Sequence, residues 1–251
     1  MQAESPSAVM FMSADVSGST DFKARAGQDA SLWLEAFATL FRELPLIFIG
    51  QLAQSFMEED DLPEAGVWKV LGDEVIFVAL PQNVKQASLI AGAFVATVRD
   101  YDQRLSERWP LRIRGTCWAV ELGGRNRMIE IPEMFGGSDG QPYRDFLGPD
   151  VDTGFRLSAH AGRGEVIISP NLAEAILAEG HHQGLDFDLF DQRPLKGVVG
   201  GQPFPLIMLR LAESSEHAGQ SGGELLAKLQ AQRHELRSKH GFDMAAPLFS
   251  G

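Results

Sequence analysis

The strongest constraint in this chain is a pair of apolar, strand-like runs that each end on an aspartate. The first, Ala8-Val-Met-Phe-Met-Ser-Ala14, leads into Asp15 and the stretch Val16-Ser17-Gly18-Ser19-Thr20. The second, Val67-Trp-Lys-Val-Leu71, meets Gly72-Asp73-Glu74 before continuing as Val75-Ile-Phe-Val-Ala-Leu80. Two apolar runs joined by Gly-Asp form a hairpin signal. A strand ending at Asp15, laid beside a hairpin tipped by Asp73, brings two carboxylates together. Such a pair is a hard-oxygen donor set suited to Mg²⁺ or Mn²⁺ held against a triphosphate.

The rest of the chain supplies the elements that make those strands neighbours. Helical spacing of Leu32, Leu34, Phe37, Leu40 and Phe41 predicts a helix from 31 to about 60, with Pro45 as a point of kinking or division. A second helix is expected from 83 to about 109, stopped by Pro110. Residues 111–122 alternate as a strand, with 127–131 expected to pair against it and 132–143 as a Gly/Pro-containing loop. Further on come a short helix at 152–160, a strand at 165–169, a helix at 171–179 and a last strand at 204–211. The order β-α-β-β-α-β, followed by more α/β elements, predicts an α+β fold of ferredoxin-like plan. Its sheet is expected to be rich in antiparallel pairs, with helices packed on one face. Residues 1–212 read as one domain. Residues 213–251 read as a polar linker, to 223, and an appended helix from 224 to about 240.

Composition narrows the function. A net charge of −12 argues against a general nucleic-acid binder, which needs a basic surface for phosphates. It leaves a nucleotide enzyme open, because metal ions and a few placed cations neutralise one triphosphate locally. Cys117 is the single cysteine, so no intrachain disulfide or cysteine-built zinc site is expected, in keeping with a reducing cytoplasm. No apolar run approaches the roughly 20 residues of a bilayer span, so no membrane insertion is expected.

Taken singly, each motif has an ordinary explanation. Asp15 can cap a turn, Gly72-Asp73 is common hairpin chemistry, and Glu74 is either a second acid or a solvated turn residue, the turn residue being the favoured reading. Gly18, Ser19 and Thr20 add a nucleotide role, since small residues let backbone N–H groups approach phosphate oxygens. Asp152 and Arg156 fall four residues apart on one helix face, which is either an exposed ion pair or a polar group and a cation aimed at a phosphate. Lys196, in Arg193-Pro-Leu-Lys-Gly197, is either a surface lysine or a further phosphate cation.

In order, these motifs resemble those of the class III nucleotidyl cyclases, from about residue 9 to 211. Asp15-Val-Ser-Gly-Ser-Thr is similar to the family's first metal motif, and Lys69-Val-Leu-Gly-Asp73 to its Lys-x-x-Gly-Asp hairpin. Gly148 through Arg156 is similar to the Gly-x-x-Val-Asn-x-x-x-Arg segment, Ala161 through Val166 to the Ala-x-x-Gly-Glu-Val stretch, and Leu195-Lys-Gly197 to the late Lys-Gly motif. The resemblance implies a homodimer with composite sites. Asp15, the Val16 carbonyl and Asp73 of one subunit would hold two divalent ions, Mn²⁺ or Mg²⁺. Arg156 and Lys196 of the partner would bind phosphate. Ser17 through Thr20 would line the nucleotide, and Lys69 and Asp145 would read its base.

Two departures stand out. Asp152 replaces the family's asparagine, and the stretch from 123 to 144 is longer than usual. The segment Phe146-Leu-Gly-Pro-Asp-Val-Asp-Thr-Gly-Phe-Arg-Leu157 most resembles the pyrimidine cyclases of Pycsar anti-phage defence. That resemblance implies UTP, or CTP, as substrate, a 3′,5′-cyclic monophosphate and pyrophosphate as products, and a downstream effector responding to the cyclic nucleotide. An adenylate cyclase acting on ATP and a catalytically inactive nucleotide-binding sensor are the alternatives.

Overall fold

The computed structural model describes residues 8–25, 27, 30–135, 142–212, 222–243 and 246–249. In chain order the elements are β1 (Ala8–Ser17), α1 (Ser19–Arg25), α2 (Ser31–Ser55), β2 (Ala65–Leu71), β3 (Glu74–Ala79), α3 (Val84–Arg108) and β4 (Arg112–Glu121). There follow β5 (Arg127–Phe135), β6 (Pro142–Leu147), α4 (Pro149–Leu157), β7 (Val166–Ile168), α5 (Pro170–Ala178), β8 (Leu185–Pro194), β9 (Pro203–Leu211) and α6 (Gly222–His240).

Seven strands form one sheet in the order β2-β3-β1-β4-β7-β9-β8. The first four, read from the other side, are β4-β1-β3-β2, the ferredoxin-like arrangement expected from β-α-β-β-α-β. All pairings in this sheet are antiparallel except β4 with β7. The extended β4-to-β7 route crosses through β5, β6 and α4, as a parallel connection requires.

Alternation along β1 sorts its side chains to two apolar layers. Met10, Met12, Ala14 and Val16 join the large core, which also holds the α2 stripe Phe37, Leu40, Leu44, Phe48 and Leu52. Val9 and Phe11 point the other way, into a smaller cluster with Trp118, Phe146 and Val151. Helices therefore cover both faces. α2, α3 and α5 pack into the large core, and α4 lies opposite, against β4. The expectation of helices on one face is corrected by α4, whose Val151 and Phe155 pack with Trp118.

Several local expectations are also corrected. The turn expected at residues 16–20 is much shorter. β1 extends through Ser17, Gly18 alone turns the chain at φ 88°, and α1 begins at Ser19. α2 runs on through Pro45, because its stripe of buried residues docks on both sides of the proline and offsets the lost backbone bond. β5 does not pair with β4. Asn126 N–H donates to the Gly123 carbonyl and Gly123 N–H to the Asn126 carbonyl, closing a tight turn that leads β5 away to pair with β6 in a separate two-stranded sheet. The loop expected over 132–143 is in part strand, and 136–141 lies outside the described residues. The helix expected at 152–160 starts earlier, at Pro149, a residue favoured in a first helical turn. β8, unforeseen, forms the far edge of the sheet. The expected linker lies outside the described residues up to 221. α6 buries Leu225 and Leu229 in the large core, and Arg233 reaches Glu174 of α5 at 3.0 Å.

Candidate active site

Strand register places the first group. Asp15 stands opposite Glu74 across the β1–β3 ladder and opposite Arg114 across the β1–β4 ladder. Gly72 and Asp73 form the β2–β3 tip, immediately before Glu74. Two carboxylates and one guanidinium thus meet at one end of the central strands, with Asp73 on the adjoining hairpin tip. Arg114 donates from Nε at 2.8 Å and from Nη2 at 2.6 Å, both to Asp15 Oδ2. Asp15 Oδ1 takes no hydrogen bond among the described residues.

Glu74 is not the solvated turn residue expected. It is half-buried and accepts a short hydrogen bond from the Ser13 hydroxyl. Burial pushes its carboxyl above the usual range, with the charges of Asp15 and Asp73 adding to the rise. The Ser13 hydrogen bond and Arg114 pull the other way. A carboxyl with a raised native pKa holds its proton longer in the folded chain, so stability falls as pH climbs from the ordinary glutamate range through the raised value. Glu74→Gln should flatten that decline. Urea titrations across the acidic range check this, and an unchanged pH slope in the variant would refute it.

The carboxylate oxygens of Asp15 and Asp73 are hard, as Mg²⁺ and Mn²⁺ prefer. Among the described residues no three His, Cys, Asp or Glu side chains converge as a self-sufficient metal cage. Two carboxylates completed by substrate phosphates are the usual Mg²⁺ arrangement, so Asp15, Asp73 and the Val16 carbonyl fit such ions.

The second group surrounds a cleft of about 490 Å³, lined by Arg125, Asp152, Arg156, Lys196, Val199 and Phe242 among others. α4 carries Asp152 and Arg156 one turn apart, toward this cleft. They form no ion pair with each other, and neither their side chains nor that of Lys196 is engaged by another described residue. Lys196 sits on a turn anchored by buried Leu195. Beyond it, Val199 holds φ 47°, unusual for a β-branched residue, between the packed surfaces of Val198 and Phe204. Asp15 and Asp73 are not among the residues lining this cleft.

Side-chain hydrogen bonds hold α4 in place. Buried Asn126 donates from Nδ2 to Asp150 Oδ2 at 2.8 Å, and Asp150 N–H donates back to Asn126 Oδ1 at 3.2 Å. Arg125 Nη2 reaches Asp150 Oδ1 at 2.6 Å. On the helix's inner side, Gly154 lies against the Trp118 indole so closely that a Cβ there would come within 2.2 Å of it.

A third pair unites residues far apart in sequence. Lys69 Nζ lies 2.7 Å from Asp145 Oδ1, and over the Trp68 ring at 3.8 Å from its centroid. Trp68 Nε1–H donates to the Arg144 carbonyl at 2.8 Å, tying β2 to β6. The structure therefore brings Lys69 and Asp145 together, with a cationic donor and a carboxylate acceptor side by side. Ser17, Gly18, Ser19 and Thr20 cross from the end of β1 into α1, next to Asp15.

Sequence reasoning missed Arg114, Asn126, Asp150 and Phe242. Arg112 and Arg114 alternate at the start of a strand, a signal that a charged strand end faces Asp15. The other three carry no local signal, because their partners are remote in sequence or on a turn.

No protein-family model matches the sequence, and no curated protein matches it. Solved structures do resemble it. The adenylyl cyclase CyaB from P. aeruginosa superposes with a TM-score of 0.59 at 17% identity, over 84% of this chain and 97% of that one. The guanylate cyclase domain of RhGC from Catenaria anguillulae, in complex with GTP, gives a TM-score of 0.56 at 13% identity, over 84% and 100%. The chain has the class III nucleotidyl cyclase fold. Adenylate cyclases from Trypanosoma brucei in their monomeric state share this cyclase fold, with a TM-score of 0.54 at 14% identity over 87% and 96%. No helix among the described residues is long and apolar enough to cross a membrane.

Proposed function

We propose that this chain is a nucleotidyl cyclase, acting as a homodimer whose two half-sites meet across the subunit interface. The observation that carries this reading is the separation of chemistry within one chain. Asp15 and the tip residue Asp73 lie at the β1–β3 end, while Arg156, Asp152 and Lys196 line a cleft with no ion pair to another described residue. A second copy would present the cleft of one chain to the carboxylates of the other.

In the reaction, the ribose 3′-oxygen attacks the α-phosphorus of a nucleoside triphosphate. The new O3′–P bond forms as the bond to pyrophosphate breaks, and the 3′-hydroxyl proton leaves to solvent. Divalent ions held by Asp15, Asp73 and the Val16 carbonyl would make the 3′-hydroxyl more acidic and offset the charge of the departing pyrophosphate. Arg156 would stabilise charge growing on the α-phosphoryl group, and Lys196 would hold the outer phosphates. The amides of Ser17 through Thr20 would approach phosphate oxygens. Asp152 would sit where an amide donor is usual, adding a negative charge beside the phosphates.

The substrate we favour is UTP, with CTP second. Support comes from the segment 146–157 and its likeness to the pyrimidine cyclases of anti-phage defence, which would also assign the product a signalling role with a downstream effector. Lys69 would donate to a base carbonyl such as uracil O4, and Asp145 would accept from N3–H. Lys69→Met should reduce the preference among nucleotides by about tenfold or more, since a base edge loses its donor and Asp145 is left unpaired. Competition between paired nucleotides reads this directly.

The deciding experiment incubates purified protein with ATP, GTP, CTP and UTP, each with Mn²⁺, and resolves the products by mass spectrometry. Cyclic UMP or cyclic CMP as the main product supports the pyrimidine assignment. Cyclic AMP would replace it with an adenylate cyclase. A folded dimer forming no product from any nucleotide would overturn the enzyme reading in favour of a nucleotide sensor.

A further inference from the structure

The C-terminal segment contributes to the cleft at residues outside the motifs. α6 ends at His240, and Gly241 after it takes φ 64° and donates its N–H to the Arg237 carbonyl at 3.1 Å, a left-handed cap that turns the chain sharply. The turn delivers Phe242 into the wall of the cleft shared by Arg156 and Lys196. Phe242 meets the Phe204 ring at 6.3 Å between centroids, within the same apolar cluster as Val198 and Val199 of the Lys196 turn. The Arg125 guanidinium lies 5.6 Å from the Phe242 ring centroid and donates from Nη1 to the Asp243 carbonyl at 3.3 Å. The second terminal nitrogen of the same guanidinium, Nη2, holds Asp150, in the first turn of α4.

Asp243 closes the circuit. Its carboxylate receives Arg233 Nε at 3.1 Å and Arg237 Nη1 at 3.5 Å, both from α6. Arg233 in turn pairs with Glu174 of α5. A continuous set of contacts thus runs from the docked α6, through Asp243, Phe242 and Arg125, to Asp150 and the helix bearing Asp152 and Arg156. The same ring packs beside the turn bearing Lys196. These contacts converge on both walls of the cleft, and an individual surface ion pair would not.

We propose that Phe242 and Asp243 are positioning residues, which couple the docking of α6 to the placement of α4 and of the Lys196 turn around the cleft. The inference rests on the proposed cyclase reading for its catalytic consequence, though not for the coupling itself. An α6 undocked from α5 would release Arg125, and with it the first turn of α4.

The test is amide hydrogen exchange on full-length wild type, Phe242→Ala and Phe242→Tyr, together with steady-state turnover. In Phe242→Ala, exchange across α4 should rise about tenfold while β1 and β4 keep wild-type protection. kcat/KM should fall about 10- to 100-fold, chiefly through kcat, as expected when catalytic groups are misplaced rather than removed. Phe242→Tyr retains the ring and should restore both. Unchanged α4 exchange, equal acceleration throughout the sheet, or an unaltered kcat/KM in an active enzyme would each overturn the proposal. If the wild type turns over no nucleotide, the cyclase reading fails, and the exchange pattern alone decides the coupling.

Discussion

Asp73→Ala should remove cyclic-nucleotide formation, by about 10³-fold or more, while leaving the fold and dimer intact. Asp73 stands on a tip residue of the β2–β3 hairpin, makes no ion pair among the described residues, and is not part of any apolar cluster. On the proposed reading its loss takes away a cation ligand and little else. Asp15→Ala should be equally inactive but less clean. It strands Arg114, whose side chain is 28% exposed, and should cost about 1 kcal/mol of stability, because solvent screens part of that pair. Turnover across a wide Mn²⁺ range, with thermal melts and sizing on the same preparations, separates the two effects. A dimeric Asp73→Ala protein with near-normal turnover would defeat the assignment of that carboxylate.

The second large effect is expected at Gly154, a residue with no titratable group of its own, on the helix that carries Asp152 and Arg156. A Cβ at this position would lie 2.2 Å from Trp118 Cε2 and Nε1 and 2.3 Å from Cδ1. Trp118 cannot yield, because it is buried and stacked on Phe11 at 5.2 Å between ring centroids. Gly154→Ala must therefore push α4 off β4, at a cost of about 1–3 kcal/mol or more. The displacement moves Arg156, two residues on, so turnover should fall about 100-fold even in the folded fraction. All three clashing atoms belong to the five-membered half of the indole. Adding Trp118→Phe should consequently recover part of both stability and turnover, a coupling that a double-mutant cycle measures. A Gly154→Ala protein with wild-type melting and kinetics would refute this packing account.

Much of the fold was legible in advance, for reasons that differ by element. β1, the β2–β3 hairpin and α3 announce themselves through local chemistry, namely an apolar run, Gly-Asp at a tip, and Asn83 capping a helix by accepting from Gln86 N–H at 2.9 Å. Once those elements are in order, the ferredoxin-like plan makes β1 and β3 neighbours, and Asp15 reaches the residue after Asp73. β8 was missed because its acidic residues Asp186, Asp188 and Asp191 interrupt the apolar pattern on an edge strand. The pairing of β5 failed because alternation predicts a strand without naming its partner. Here the tight turn at Gly123–Asn126 leads β5 to β6.

The candidate site divides in the same way. Residue type at strand ends and turns points to Asp15 and Asp73, while Asp152, Arg156 and Lys196 are picked out by the order of motifs that resembles the class III cyclases. What surrounds them is set by distance in space. Glu74 becomes half-buried only when β1 lies beside it, and Arg114 reaches Asp15 only through the β1–β4 register. Lys69 and Asp145 meet because β6 folds back over β2, and Phe242 reaches the cleft because Gly241 turns the chain after α6 has docked. The sequence by itself determined which groups are candidates for the chemistry and the order of elements that brings β1 beside the β2–β3 hairpin. Only the tertiary structure decided their partners and burial, because charge interactions and desolvation depend on neighbours that sequence distance does not encode.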